Sequence, residues 1–139
     1  MRFPLSLHES FIKRGAVLHS DLFEDIDHGK FFAVIGVSDD MVAGFFFINS
    51  RIHPVIEKRP EQFAMQYPLK RSDYSFLKYD SFLCATVIQK IPVGKLAKTV
   101  DEGNTVHVGE LTEDDLDAVL RACRASRLFR ESDKRKFFY

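Results

Sequence analysis

The stretch Gly29–Ser50, GKFFAVIGVSDDMVAGFFFINS, restricts the fold more than any other part of the chain. Two apolar runs rich in phenylalanine, valine and isoleucine flank a polar pinch at Ser38, Asp39 and Asp40. Such residues suit a pleated surface buried on both faces, and adjacent aspartates suit a tight turn. The pattern predicts an antiparallel hairpin, with strands over about Phe31–Val37 and Met41–Asn49 joined by a turn at Asp39 and Asp40. With Ser38 facing Met41, counting outward along the ladder sets Lys30 opposite Asn49 and Gly29 opposite Ser50. The open end of an apolar ribbon then gathers an ammonium, an amide and a hydroxyl.

A lone hairpin is marginal in water, so the remaining chain has to cover it. The 139 residues are 45% hydrophobic, enough for one core and a single domain over residues 1–139. Lysine plus arginine and aspartate plus glutamate both number 20. No net field therefore draws the chain to nucleic acid or a membrane surface, and any such attraction is local. Residues Met1–Phe11 carry Arg2, Pro4, His8 and Glu9, too interrupted for a signal peptide, and the run MVAGFFFI is far short of the roughly 18 residues that span a bilayer. The chain reads as soluble and cytoplasmic, without membrane contact. Cys84 and Cys123 lack CxxC spacing and partnering histidines and read as small core residues. His53 and His107 have no companions at ligand spacing, so neither a metal nor a cofactor is expected.

Around the hairpin, KRGAVLHSDLF predicts a first strand over about Ala16–Leu22, followed by the acidic loop EDIDHGK. Residues Arg51–Tyr79 hold Pro54, Pro60 and Pro68 among many charges and read as a long surface excursion with a short helical turn near PEQFAM. SFLCATVIQKI, Ser81–Ile91, reads as one central strand. The segment after it breaks at Pro92 and Gly103 around one or two short strands. Thr112 then caps a helix: Glu113, Asp114 and Asp115 favour its positive end, and Leu116, Val119, Leu120 and Cys123 repeat at helical spacing. About five short strands, long loops and one closing helix describe a mainly β fold, a small antiparallel barrel with a C-terminal amphipathic helix packed on it.

The order of these parts resembles the MazF/PemK (Kid, CcdB-like) toxin family, whose fold is an SH3-like barrel with a C-terminal helix. IKRGAV is similar to that family's opening strand, GKFFAVIGV to the strand it enters through a Gly-Arg-Pro segment, KYDSFLCATVIQKIPVGKL to its strand ending in a leucine-terminated turn, and VGELTEDDLDAVLRAC to its Gly-x-Leu and final helix. The likeness touches about two thirds of the chain and rests on order and spacing, which speak to fold before activity. It implies a homodimeric, metal-independent endoribonuclease acting on single-stranded RNA, restrained by an antitoxin protein whose segment lies over the RNA site.

Carried onto this chain, the family's arginine at the entrance to the second strand falls on Lys30, and its serine or threonine at the end of the next strand falls on Asn49 or Ser50. Cleavage through the 2′-hydroxyl of RNA needs a base, an acid and a cation over the phosphate. Lys30 supplies charge without the planar fork of arginine. The acidic residue of some relatives falls near Thr86 and its companion arginine near Gln89 or Lys90, so His28 and Asp80 are the candidate acid and base, with His19 also able to titrate near neutrality. Each candidate has a plainer alternative: Lys30, Asn49 and Ser50 as a solvated strand end, His28 as a surface histidine, Asp80 as a turn residue satisfying backbone donors. The final 19 residues hold seven cations, among them Arg121 and Arg124 on the helix, interleaved with Phe129, Phe137, Phe138 and Tyr139. They read either as a nucleic-acid surface widened by Arg51 or as a solvated helix face with a docked tail. The alternative to an enzyme is a non-catalytic barrel of the same fold that binds a protein partner or RNA.

Overall fold

The structure, a computed structural model, describes residues 12–20, 30–38, 40–48 and 58–139. Its centre is the expected hairpin. Strands β1 (Ala16–Ser20), β2 (Lys30–Val37) and β3 (Met41–Ile48) run antiparallel, and Ser38 N donates to Met41 O at 2.8 Å across the turn. Four more strands follow, β4 (Gln66–Leu69), β5 (Ser81–Cys84), β6 (Gln89–Pro92) and β7 (Thr105–Glu110). They make a seven-stranded sheet in the order β4-β5-β3-β2-β1-β7, with β6 also on β3. Helices α1 (Pro60–Ala64), α2 (Val93–Asp101), α3 (Glu113–Ala125) and α4 (Glu131–Asp133), the last running into a π-helical turn over Lys134–Phe138, complete a mixed α/β fold rich in strand.

The hairpin departs from the expected register. Val37 faces Val42 and Gly36 faces Ala43, as counting from the turn requires, but the next pair is Val34 with Gly44, and Phe32 faces Phe46. One residue, Ile35, is looped out as a β-bulge. Every partner beyond it is displaced by one, so the count that set Lys30 opposite Asn49 is off by a residue. Residues 49 and 50 themselves lie outside the described residues.

Two further expectations are corrected. Ser81–Ile91 is not one strand: β5 pairs with Phe47 and Ile48, β6 with Met41–Gly44, and the chain turns between them along the same edge of β3. At that turn Ala85 N donates to Met65 O and Leu83 O, 3.1 and 3.0 Å away. The composition of the segment hides the interruption, which leaves β5 between β3 and β4 and returns β6 to β3 in a different register. Past Pro92, the stretch read as short strands begins with helix α2. Val93, Leu96 and Ala97 lie on the helix face that packs on the sheet, a 3.6-residue spacing that Gly94 and the lysines obscured. Gly103, at φ +79°, ends the turn that follows. The Thr112 helix is as expected, with Asp115 N donating to Thr112 Oγ1 at 3.2 Å.

The strands alternate between two cores. Val17, Ala33, Ile35, Ala43, Phe45 and Phe47 face α3 and the tail, whereas Leu18, Phe32, Val34 and Val42 face Leu96 of α2 with Ile91. Edge strands β4 and β7 do not pair with each other, so side chains join the sheet's edges to the rest. Tyr67 of β4 donates to Asp115 Oδ1 at 2.7 Å, Tyr74 donates to Asp115 Oδ2, and Thr112 N donates to the Tyr74 hydroxyl at 3.1 Å. Burial, then the Asp115 hydrogen bond, pushes the Tyr67 hydroxyl up to about 12 and the Tyr74 hydroxyl in the same direction. On β7, a Cβ at Gly109 would come within 2.9 Å of the Phe76 ring.

The C-terminal segment is core. Phe129, Phe137 and Phe138 are 8%, 1% and 0% exposed, and Phe138 lies edge-on to Phe129 at 5.1 Å. The bulge is its seat. Gly36 has no room for a side chain, since a Cβ there would stand 2.1 Å from Phe137 O. Arg14 bonds through Nε to Ile35 O at 2.8 Å and through its terminal nitrogen to Phe137 O and Tyr139 O at 2.9 and 3.0 Å.

Candidate functional site

Of the residues singled out in the sequence, Lys30 and Asp80 are described, and His28, Asn49, Ser50 and Arg51 lie outside the described residues. Lys30 opens β2 across from Ser20 of β1. Its face of the strand is shared with Phe32, whose cross-strand partner is Phe46. The ammonium therefore falls diagonally over the Phe46 ring, 4.9 Å from its centroid, an attraction between a cation and the negative ring face. The half-buried stem keeps the charge at the mouth of the hairpin.

Behind Lys30 runs a chain of hydroxyls. Ser20 and Thr105 are each 2% exposed, their oxygens 2.6 Å apart. Thr105 Oγ1 donates to Thr99 Oγ1 at 2.8 Å and Thr99 Oγ1 to Leu96 O at 2.7 Å. With both threonine protons committed, Ser20 is the donor to Thr105, and the chain has one polarity. It joins β1, β7 and α2 beneath the site.

Asp80 stands at the same end of the sheet as Lys30, on the other side of β3: Ile48, at the far end of β3 from the turn, pairs with Phe82, two residues after Asp80. One carboxylate oxygen, Oδ1, accepts from Arg71 N at 2.8 Å, the turn role that the plainer reading assigned it. His19 lies on the opposite face from Lys30, its ring edge-on to Phe31 at 5.0 Å, next to the cluster Phe31, Phe47 and Phe76. The imidazole and the ammonium thus occupy successive rungs but different faces.

The positions that the family resemblance makes catalytic elsewhere are not gathered here. Thr86 sits in the turn after β5, at the other end of that strand from Asp80, with its Oγ1 3.3 Å from Cys84 Sγ. Lys90 is held by Asp133 at 2.7 Å. On α3, Arg121 pairs with Asp117 of the preceding turn. Arg124 donates to Phe138 O at 2.6 Å and lies 4.8 Å from the Tyr139 ring centroid. Its guanidinium secures the tail backbone, and the buried Phe129, Phe137 and Phe138 cannot serve as a stacking surface. Of the two readings of this segment, these contacts describe the docked tail.

The structure also assembles residues that sequence reasoning passed over: Arg14, which holds bulge and tail together, and the Tyr67–Asp115–Tyr74 group. Neither has a sequence signal, since each depends on partners 21 to 125 positions away. Among the described residues no group of three or more histidine, cysteine, aspartate or glutamate side chains is arranged to hold a metal ion, and no helix is long and apolar enough to cross a membrane. No protein-family model matches the sequence, and no curated protein matches it.

Proposed function

We propose that the chain is an SH3-like barrel of the MazF/PemK kind that binds single-stranded RNA at the Lys30 end of the sheet and cleaves it without a metal. The observation that carries this reading is the Lys30 ammonium, held over Phe46 at the hairpin mouth and sharing one end of the sheet with Asp80. In this role Lys30 offsets the charge that builds on the phosphate, Asn49 and Ser50 line the site, and His28 and Asp80 exchange protons with the 2′-hydroxyl and the leaving oxygen. A homodimer in the cytoplasm and an antitoxin-like partner belong to the same reading.

The test is incubation of purified protein with a single-stranded RNA in the presence of EDTA. Cleavage is expected, and Lys30→Ala is expected to lower turnover by about 10²–10³ with the urea midpoint unchanged. Intact RNA, together with normal growth of cells expressing the chain alone, overturns it. A second reading, a non-catalytic barrel that holds a protein partner, draws support from Asp80, whose Oδ1 is engaged by Arg71 N. Under it, Lys30→Ala changes affinity at most.

A further inference from the structure

A different surface lies at the other end of the β4–β5 ladder. Gln66 pairs with Cys84 there, whereas Leu69 and Ser81, next to Asp80, mark the end toward Lys30. Helix α1 immediately precedes Gln66 and stands beside the C-terminal part of α3, with a cleft on each side of about 330 and 350 Å³. Ala64, Met65, Ala122 and Ala125 wall the first cleft, and Leu128 borders the second. Phe63, on the same short helix, is 47% exposed.

The rim is cationic. Lys58 and Arg59 edge one cleft and Arg127 the other, against the single carboxylate of Glu61, which borders both. Among the described residues none of these three cations makes an ion pair, in contrast to Arg121, one helical stretch away, which is paired with Asp117. One cleft walled by alanine and methionine side chains, a second bordered mainly by polar ones, and an exposed phenyl on the helix that borders both, with three cations against one carboxylate, are complementary to a segment that carries carboxylates and an apolar side chain together. Bases are a poorer match, because no aromatic ring lines either cleft to stack on one.

We propose that the α1–α3 face docks an acidic amphipathic peptide segment of a protein partner, with an apolar side chain in the cleft walled by Ala122 and Ala125 and carboxylates on Arg127, Arg59 and Lys58. The site is separate from the Lys30 end of the sheet and does not depend on the RNA reading.

Fluorescence anisotropy tests it with a labelled synthetic peptide of repeating Glu-Leu-Leu-Glu, the same peptide with glutamine for glutamate, and an oligouridylate competitor. Saturable binding of the acidic peptide is expected, weakened about tenfold by Phe63→Ala and by Arg127→Glu and unchanged by Lys30→Ala. Both varied side chains are exposed, so thermal melting should match that of the parent chain. Equal binding of the glutamine peptide, undiminished binding by the two variants, no binding of the acidic peptide, or its displacement by oligouridylate overturns the proposal. RNA cleavage by the same two variants should stay at the parental rate, which separates failure of this face from failure of the Lys30 site.

Discussion

The hairpin and the C-terminal segment are both rich in phenylalanine, and the chain uses the two differently. In the hairpin, phenylalanines alternate sides, so Phe45 and Phe47 serve one core while Phe32 and Phe46 serve the other. Backbone groups are satisfied by neighbouring strands, and a ring at the edge, Phe46, remains half-exposed to carry Lys30. In the tail, adjacent Phe137 and Phe138 are both buried on one side because the backbone there is π-helical. Its last carbonyls find no strand and are capped instead by the guanidiniums of Arg14 and Arg124. Aromatic content alone therefore does not distinguish an interior element from a ligand platform. What distinguishes them is where the backbone polar groups find partners.

The sharpest way to break this comparison is Phe138→Ala. A fully buried ring should cost about 3–5 kcal/mol, seen as a large drop in the urea midpoint, whereas Phe46→Ala should cost roughly 1–2 kcal/mol because that ring is only partly withdrawn from water. A tail loss no larger than the hairpin loss would make the segment an appendage. Gly36→Ala comes next: the added methyl collides with Phe137 O, and the tail must shift at a cost of about 1–3 kcal/mol. Hydrogen exchange should then speed up at tail amides while β1 stays protected. The smallest effect is alkaline. Tyr67 rises from 10.0 to about 12 on folding, through burial and Asp115, and the buried Cys123 thiol beside the tail rises from 9.0 to about 12. Both groups fold in their neutral forms, so their contribution is complete below their ordinary values and fades as pH climbs toward 12. Tyr67→Phe should remove the hydroxyl's share and leave the thiol's, read from urea midpoints between about pH 8 and pH 11.

The contrast also marks how far the fold could be read from residues. Two continuous apolar runs around an acidic turn made β2 and β3 visible, and the Thr112 cap with its acidic first turn made α3 visible, because each signal is local. Ile35 carried no sign of the bulge, since a looped-out isoleucine has the same side chain as a paired one. Helix α2 was hidden by Gly94 and its lysines, and the split between β5 and β6 by the composition of that segment. Of the candidate site, Lys30 and Asp80 were each singled out beside the family resemblance, but their sharing one end of the sheet depends on the pairing of β5 with β3. The faces of His19 and Lys30, the bond from Arg71 N to Asp80, and the roles of Arg121 and Arg124 depended on long-range partners that spacing does not encode.

Ladder pairing is a counting rule, and a single uncounted residue acts on it as a frameshift acts on a message. The reading frame of the hairpin beyond residue 35 is held by the seat that Gly36 and Arg14 make for Phe137. The last residues of the chain thus fix which side chain stands across from which at the distant mouth where Lys30 sits, without any of them touching it.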